Sequence, residues 1–352
     1  MTTTLFDGIT ARRVETPRYA ANVLERSGGG EGTPVVFVHG NVSSSSFYQP
    51  TMLALPEGVR ALAIDLRGFG DSETKPVDAT RGLRDFSDDV LSVLDALGID
   101  RAHLVGWSMG GGIVMQLLLD HPDRVASLTL ESPVSPYGFG GTHGPDGARN
   151  DADGAGTGGG GANPDFVVRL ESRDTTADEQ TSPRTVYRTA YVAKPDQQSA
   201  NEDLWVESML TTKTGDGNYP GDSVASENWP GFAPGSRGVL NTMAPQHLNL
   251  SGIADLATKP PILWIHGEKD AIVSDASFFD LNYLGQIGVV PGWPGEEVAP
   301  PQPMVTQTRA VLARYTANGG SVTEVALPDA GHAPHLDEAA AFDAALAQHI
   351  SG

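Results

Sequence analysis

The chain has 352 residues, a formal net charge of −21 and no cysteine. That length accommodates one large α/β domain with an insertion, or two small domains, with a sizeable core in either case. The charge argues against nucleic acid and anionic membrane surfaces as partners, because both require a basic face, and the missing cysteines remove disulfides, thiolate metal sites and a cysteine nucleophile.

The N-terminus, Met1-Thr2-Thr3-Thr4-Leu5-Phe6-Asp7-Gly8, has neither a basic start nor an apolar run. No signal peptide is expected, and a cytoplasmic location is the expectation. No stretch approaches the roughly 18 apolar residues of a membrane span. Two short alternating runs within 11–26 predict an opening antiparallel pair. Pro34-Val35-Val36-Phe37-Val38 predicts a buried strand ending in His39-Gly40-Asn41. A glycine just past a strand lets backbone approach a ligand closely. The Asn41 N–H is therefore a candidate donor to an oxyanion, with an ordinary Gly-Asn turn as the alternative. Residues 47–55 predict a short helix and 60–64 the next strand. That strand runs into Asp65-Leu66-Arg67-Gly68-Phe69-Gly70-Asp71-Ser72, a tight loop in which Asp65 and Arg67 are expected to be structural.

Residues 86–97 read as an amphipathic helix with an acidic start that suits its dipole. A strand over 102–105 and a helix over 113–119 flank Gly106-Trp107-Ser108-Met109-Gly110. A G-x-S-x-G pattern at such a turn forces the serine into a strained conformation and lifts its hydroxyl toward a pocket. The turn also points N–H groups, that of Met109 among them, where developing negative charge is stabilised. A strand over 125–130 ends at Glu131. Short apolar strands alternating with helices predict an α/β fold, a mostly parallel sheet flanked by helices.

The rhythm stops after Pro133. Residues 138–164 are dominated by glycine and bury too little apolar area to fix themselves, so a mobile or long irregular loop is expected. Asp151-Ala152-Asp153-Gly154 resembles the start of a calcium loop, but the further ligand spacing and the closing glutamate are missing, so no metal is expected. Residues 134–257 read as an inserted cap or lid, with helices at 183–192 and 202–210, between core segments 1–133 and 258–352. The sheet resumes over 261–265, ending His266-Gly267-Glu268-Lys269-Asp270. A second insertion rich in Gly and Pro, 281–303, precedes a helix over 306–318. The last strand, 322–327, leads into Gly331-His332-Ala333-Pro334-His335, and a closing helix covers 338–350.

Three strand ends thus present Ser108, Asp270 and His332. In a parallel sheet the carboxyl ends of strands share one edge, so residues distant in sequence can meet there. His332 can take the serine proton during attack and return it to a leaving group, while Asp270 holds the imidazole. The N–H groups of Asn41 and Met109 are the candidate oxyanion donors. Glu131 is a rival acid and His335 a rival base, the latter read as structural because it lies where the closing helix begins. Trp107, Met109, Val134, Tyr137, Phe139 and Ile272 are candidate pocket residues.

These motifs together resemble the α/β-hydrolase superfamily over roughly 11–133 and 258–350. The resemblance rests on His39-Gly40-Asn41, the loop from Asp65 to Ser72, the Ser108 turn, the segment from His266 to Asp270 and Gly331-His332. It implies a Ser108, Asp270, His332 triad with an oxyanion hole at Asn41 and Met109, and no cofactor. A serine at 108 sets the chain apart from family epoxide hydrolases and haloalkane dehalogenases, which use aspartate there. The cap and the stretch between Asp270 and His332 are longer than usual for the family. The expected function is hydrolysis of a small, moderately hydrophobic ester or lactone through an acyl-enzyme. The alternatives are a C–C, amide or thioester bond, perhydrolase side activity, and a non-catalytic ligand-binding protein.

Overall fold

The computed structural model describes residues 4–194 and 200–352. Residues 1–3 of the N-terminus and 195–199 of the stretch read as cap lie outside the described residues. The strands of the main sheet are β1 (Ile9–Glu15), β2 (Ala20–Arg26), β3 (Val35–Val38), β4 (Ala61–Ile64), β5 (Ala102–Trp107), β6 (Val125–Glu131), β7 (Ile262–Gly267) and β8 (Val322–Leu327). Their order is β1-β2-β4-β3-β5-β6-β7-β8. β1 pairs antiparallel with β2, and β2 with β4; every later pairing is parallel.

The central strands lack polar alternation because both of their faces are covered. Val35-Val36-Phe37-Val38 and Ala61-Leu62-Ala63-Ile64 are buried throughout, as fits strands between two helical layers. The edge strands carry the charge instead: β1 exposes Arg12, Arg13 and Glu15, and β8 exposes Glu324, which discourages pairing with another chain. The flanking helices are α1 (Gln49–Ala54), α2 (Arg84–Ala96) and α3 (Met109–Asp120). α3 is buried on nearly every side and α2 on one. The acidic start of α2, expected to serve the helix dipole, is bound by arginines. Arg67 makes two hydrogen bonds to the fully buried Asp89, at 2.6 and 2.7 Å. Arg18 and Arg81 bond Asp85 from outside. Asp65 accepts from Ser45 N, Asn22 Nδ2 and Asp71 N. Both loop charges therefore tie the chain between β4 and α2, as expected.

The insertion after β6 carries α4 (Pro164–Glu171), absent from the sequence reading, then α5 (Pro183–Val186), which continues as a π-helical turn, Tyr187–Tyr191. α6 (Glu202–Met209) follows, and a short hairpin pairs Ser223–Ala225 with Phe232–Pro234. Beyond β7 come α7 (Leu281–Gln286), α8 (Met304–Ala317), α9 (Pro334–Asp337) and α10 (Ala339–Ile350). Among the described residues no helix is long and apolar enough to cross a membrane.

Residues 138–164 are largely irregular, apart from a two-residue antiparallel pair, Thr142–His143 with Ala148–Arg149. Their backbone is fixed by neighbours rather than by their own apolar area. Phe139 N–H donates to Met243 O, Gly156 N–H to Phe232 O and Gly159 N–H to Asn241 Oδ1. The second insertion supplies the strongest anchor. The buried Gln302 accepts from Gly140 N–H and donates to Gly138 O and to Gln307 Oε1. Gln307 in turn donates to Thr142 Oγ1 and Gly144 O. Asp280 orients this pair by accepting from Gln302 N at 2.7 Å. Burial pushes the Asp280 carboxyl up to about 6, against the lowering effect of its backbone donors. Gln302→Ala should therefore lower stability by about 1–3 kcal/mol, the cost of orphaned buried partners. Denaturant unfolding measures that loss, and limited proteolysis should gain cleavage sites within 138–164.

Candidate active site

β5 delivers Ser108 and α3 begins at the next residue. Ser108 has φ 57° and ψ −119°, a region that L-residues avoid and that costs about 1–3 kcal/mol to hold. The turn closes because strand and helix nearly touch. A Cβ on Gly106 would lie 2.3 Å from Gly110 O, and one on Gly110 would lie 2.2 Å from Val38 O. Parallel pairing supplies the other constraint, since Ser108 N–H donates to Glu131 O at 2.9 Å. The side chain stays half-buried, and among the described residues its hydroxyl has no hydrogen-bond partner.

The ends of β7 and β8 bring Asp270 and His332 together. His332 Nδ1–H donates to Asp270 Oδ2 at 2.9 Å, and both side chains are nearly fully buried. Asp270 Oδ1 accepts from the N–H groups of Ile272 and Val273, at 2.8 and 2.9 Å, which fixes the carboxylate. With Nδ1 committed to Asp270, Nε2 is the ring nitrogen left able to accept a proton. Trp107 ties this pair to the Ser108 turn: its indole N–H donates to His332 O at 2.7 Å, and its ring lies 5.6 Å from the imidazole.

The segment after β3 reaches the same place. A Cβ on Gly40 would sit 3.0 Å from Ser108 Cβ and 3.6 Å from Oγ, so any other side chain would intrude on the serine. The peptide between Gly40 and Asn41 is clamped through its carbonyl, which accepts from Ser43 Oγ at 2.9 Å and from His39 Nδ1–H at 2.7 Å. His39 Nε2 accepts from Leu66 N–H at 3.1 Å, so the proton belongs on Nδ1. Fixing the carbonyl of a planar trans peptide fixes its N–H, here that of Asn41, in the opposite direction. Among the described residues neither Asn41 N–H nor Met109 N–H donates to a protein acceptor. Val42 follows with φ 48°, an outlier for a β-branched residue.

Glu131 and His335 form a second, separate pair. His335 donates to Glu131 Oε1 from Nδ1–H at 2.6 Å and from its backbone N–H at 3.0 Å. Tyr48 O–H donates to Glu131 Oε2, and burial, then Glu131, raise the tyrosine pKa well above its ordinary value. Both members of the pair have fully buried side chains. The rival acid and rival base thus engage each other, and Asp270 faces His332.

The proposed pocket residues divide. Trp107 is a correction: it is 1% exposed and packs beneath the site against Phe47, Tyr191, His332 and His335 rather than lining an open pocket. Val134, also 1% exposed, is pressed against Gly112 of α3, and Met109 is wholly buried. Tyr137 is covered by Gly147. Phe139 and Ile272 retain exposure. The sequence reading did not single out Tyr191. Its hydroxyl contacts the Asn41–Val42 segment and its ring faces His332 at 6.1 Å. The only signal was an aromatic in a predicted cap helix. Among the described residues no group of three or more His, Cys, Asp or Glu could hold a metal ion.

Comparison with known proteins adds the family. A profile of the α/β-hydrolase fold matches residues 33–278. The chain belongs to this family. It is similar to the 2-hydroxymuconate semialdehyde hydrolase of Pseudomonas sp. strain CF600, 40% identical over 104 residues, 29% of this chain and 36% of that one. The uncharacterized carboxylesterase nap of Bacillus subtilis is 31% identical over 121 residues, 34% of this chain and 40% of that one. The matched stretches thus span about two fifths of these curated relatives. Among solved structures, the esterase EaEST from Exiguobacterium antarcticum superposes with a TM-score of 0.59 at 17% identity, covering 97% of this chain and all of that one; a likeness this distant speaks to the fold.

Two outcomes are expected. Asp270→Asn should reduce kcat by roughly 10⁴-fold, as loss of the orienting acid does elsewhere. Glu131→Gln should keep kcat within about tenfold and instead lower Tm; steady-state kinetics beside thermal melts separate the two, and the reverse ranking would make Glu131 the acid. The second outcome concerns His39, whose pKa burial lowers from its ordinary 6.5. Below that value the unfolded chain binds a proton that the folded chain resists, so stability contributed here falls as pH drops. His39→Gln should flatten the fall of Tm between about pH 6.5 and 5 relative to wild type.

Proposed function

We propose that this chain is a serine hydrolase that cleaves a carboxylic ester or lactone through an acyl-enzyme on Ser108. The observation that carries the reading is the Asp270–His332 hydrogen bond beside a strained, half-buried serine. In this reading Ser108 Oγ attacks the carbonyl carbon while its proton passes to His332 Nε2. The carbonyl electrons move to oxygen, where the N–H groups of Asn41 and Met109 receive the charge. Collapse breaks the bond to the alcohol, which leaves with the proton from His332. Water then adds to the acyl-enzyme with His332 again as base, and the acid is released. Asp270 stabilises the imidazolium in both steps. The partly exposed Phe139 and Ile272 favour a small, moderately hydrophobic substrate.

A second reading, hydrolysis of a C–C bond by the same residues, is favoured by the similarity to a 2-hydroxymuconate semialdehyde hydrolase. Stopped-flow hydrolysis of p-nitrophenyl butyrate tests the first. Wild type should show a burst or steady turnover, and Ser108→Ala should fold normally yet lose roughly 10⁴–10⁶-fold in kcat. Activity on vinylogous diketones without activity on any ester would move the assignment to C–C hydrolysis.

A further inference from the structure

We propose that Tyr191, carried by the cap, is a positioning residue that holds the backbone segment presenting Asn41; the inference rests on the serine-hydrolase reading above. Its hydroxyl donates to Asn41 O at 3.2 Å and to Val42 O at 3.0 Å. These are the two carbonyls that flank Val42, which has φ 48°. A β-branched residue does not rest in that region unaided. In the left-handed conformation successive carbonyls turn toward one side, and a single O–H placed there is shared between both. Tyr191 therefore supplies the contact that keeps Val42 strained, and with it the course of the segment from Gly40 to Ser43. Burial raises the Tyr191 pKa far above its ordinary value, so the hydroxyl remains a donor at every working pH.

The same residue grips the other loop. Tyr191 O accepts from Ala333 N–H at 2.9 Å, next to His332. Asp337 extends this seam by accepting from both Gly331 N–H and Ala193 N–H. The ring of Tyr191 stands edge-on to Trp107 at 5.6 Å. One cap residue thus touches the turn bearing the oxyanion donor, the turn bearing the histidine and the residue preceding Ser108. The π-helical turn, Tyr187–Tyr191, places its carbonyl and its hydroxyl on the two loops at once.

Tyr191→Phe keeps the ring and the backbone bond and removes only the O–H. The test is the rate at which a fluorophosphonate labels Ser108, read beside ester kinetics, pH profile and Tm. Tyr187→Phe is the control, since that buried tyrosine lies in the same turn and, among the described residues, its hydroxyl donates to neither loop. The expected result is labelling and kcat slowed about tenfold in Tyr191→Phe, less than direct loss of an oxyanion donor. KM and the pH midpoint of kcat/KM should stay at wild-type values, and Tyr187→Phe should label at the wild-type rate. Wild-type labelling by Tyr191→Phe would overturn the positioning role and leave the serine reading intact. Slowing shared equally by Tyr187→Phe, or a displaced pH midpoint, would also overturn it, because the effect would then come from general packing or from His332. A wild-type protein that is not labelled at all would overturn the serine reading itself.

Discussion

A strand buried on both faces must give way, within one residue, to a helix buried on nearly every side. β5 and α3 are both too deeply packed to drift apart, so the strain of the turn falls on Ser108. Much else follows from that constraint. Glycines stand where strand, helix and the end of β3 converge, because the place of each missing Cβ is crowded: a carbonyl at Gly106 and Gly110, the Ser108 side chain at Gly40. Glu131 O holds the Ser108 amide because β6 runs parallel beside β5. The histidine and aspartate arrive from β8 and β7 because the carboxyl ends of parallel strands share an edge.

The core was legible in the sequence for a simple reason. Its strands are short apolar runs stopped by glycine or a polar residue, and its helices have one clear face. The eight strands and the major helices fall within a few residues of their expected positions. Ser108, Asp270 and His332 could be singled out as candidates because each lies shortly after a strand end, and strand ends are readable. Asp65 and Arg67 could be assigned to structure because loop charges near buried polar groups find partners.

Other features depend on contacts that no local pattern announces. Tyr191 gains its place from how the insertion after β6 packs, and a tyrosine in a predicted helix carries no mark of that. The left-handed Val42 is invisible for the same reason: sequence rules expect glycine or asparagine there, and a distant hydroxyl overrides them. Trp107 looked like a pocket residue because it adjoins Ser108, yet alternation along β5 sends its side chain to the far side of the turn. Residues 138–164 bury little apolar area of their own, and their hydrogen bonds to Gln302 and Asn241 come from side chains that no pattern within the segment announces. α4 lies in the shadow of the glycine-rich run that precedes it, and the hairpin at 223–234 is too short to stand out from mixed surroundings.

The fastening of that glycine-rich segment has a consequence for behaviour in salt. Its partners are mostly amide groups: Gln302, Gln307 and Asn241 side chains, and backbone carbonyls. Hydrogen bonds between neutral groups are not weakened by counter-ions. A chain of net charge −21 repels itself, and dissolved salt relieves that repulsion while loosening exposed ion pairs. The neutral contacts of residues 138–164 stand outside this exchange. Their hold on the segment can thus stay constant across media of very different salinity, while the more exposed arginines of the network around α2, Arg18 and Arg81, carry the electrostatic adjustment.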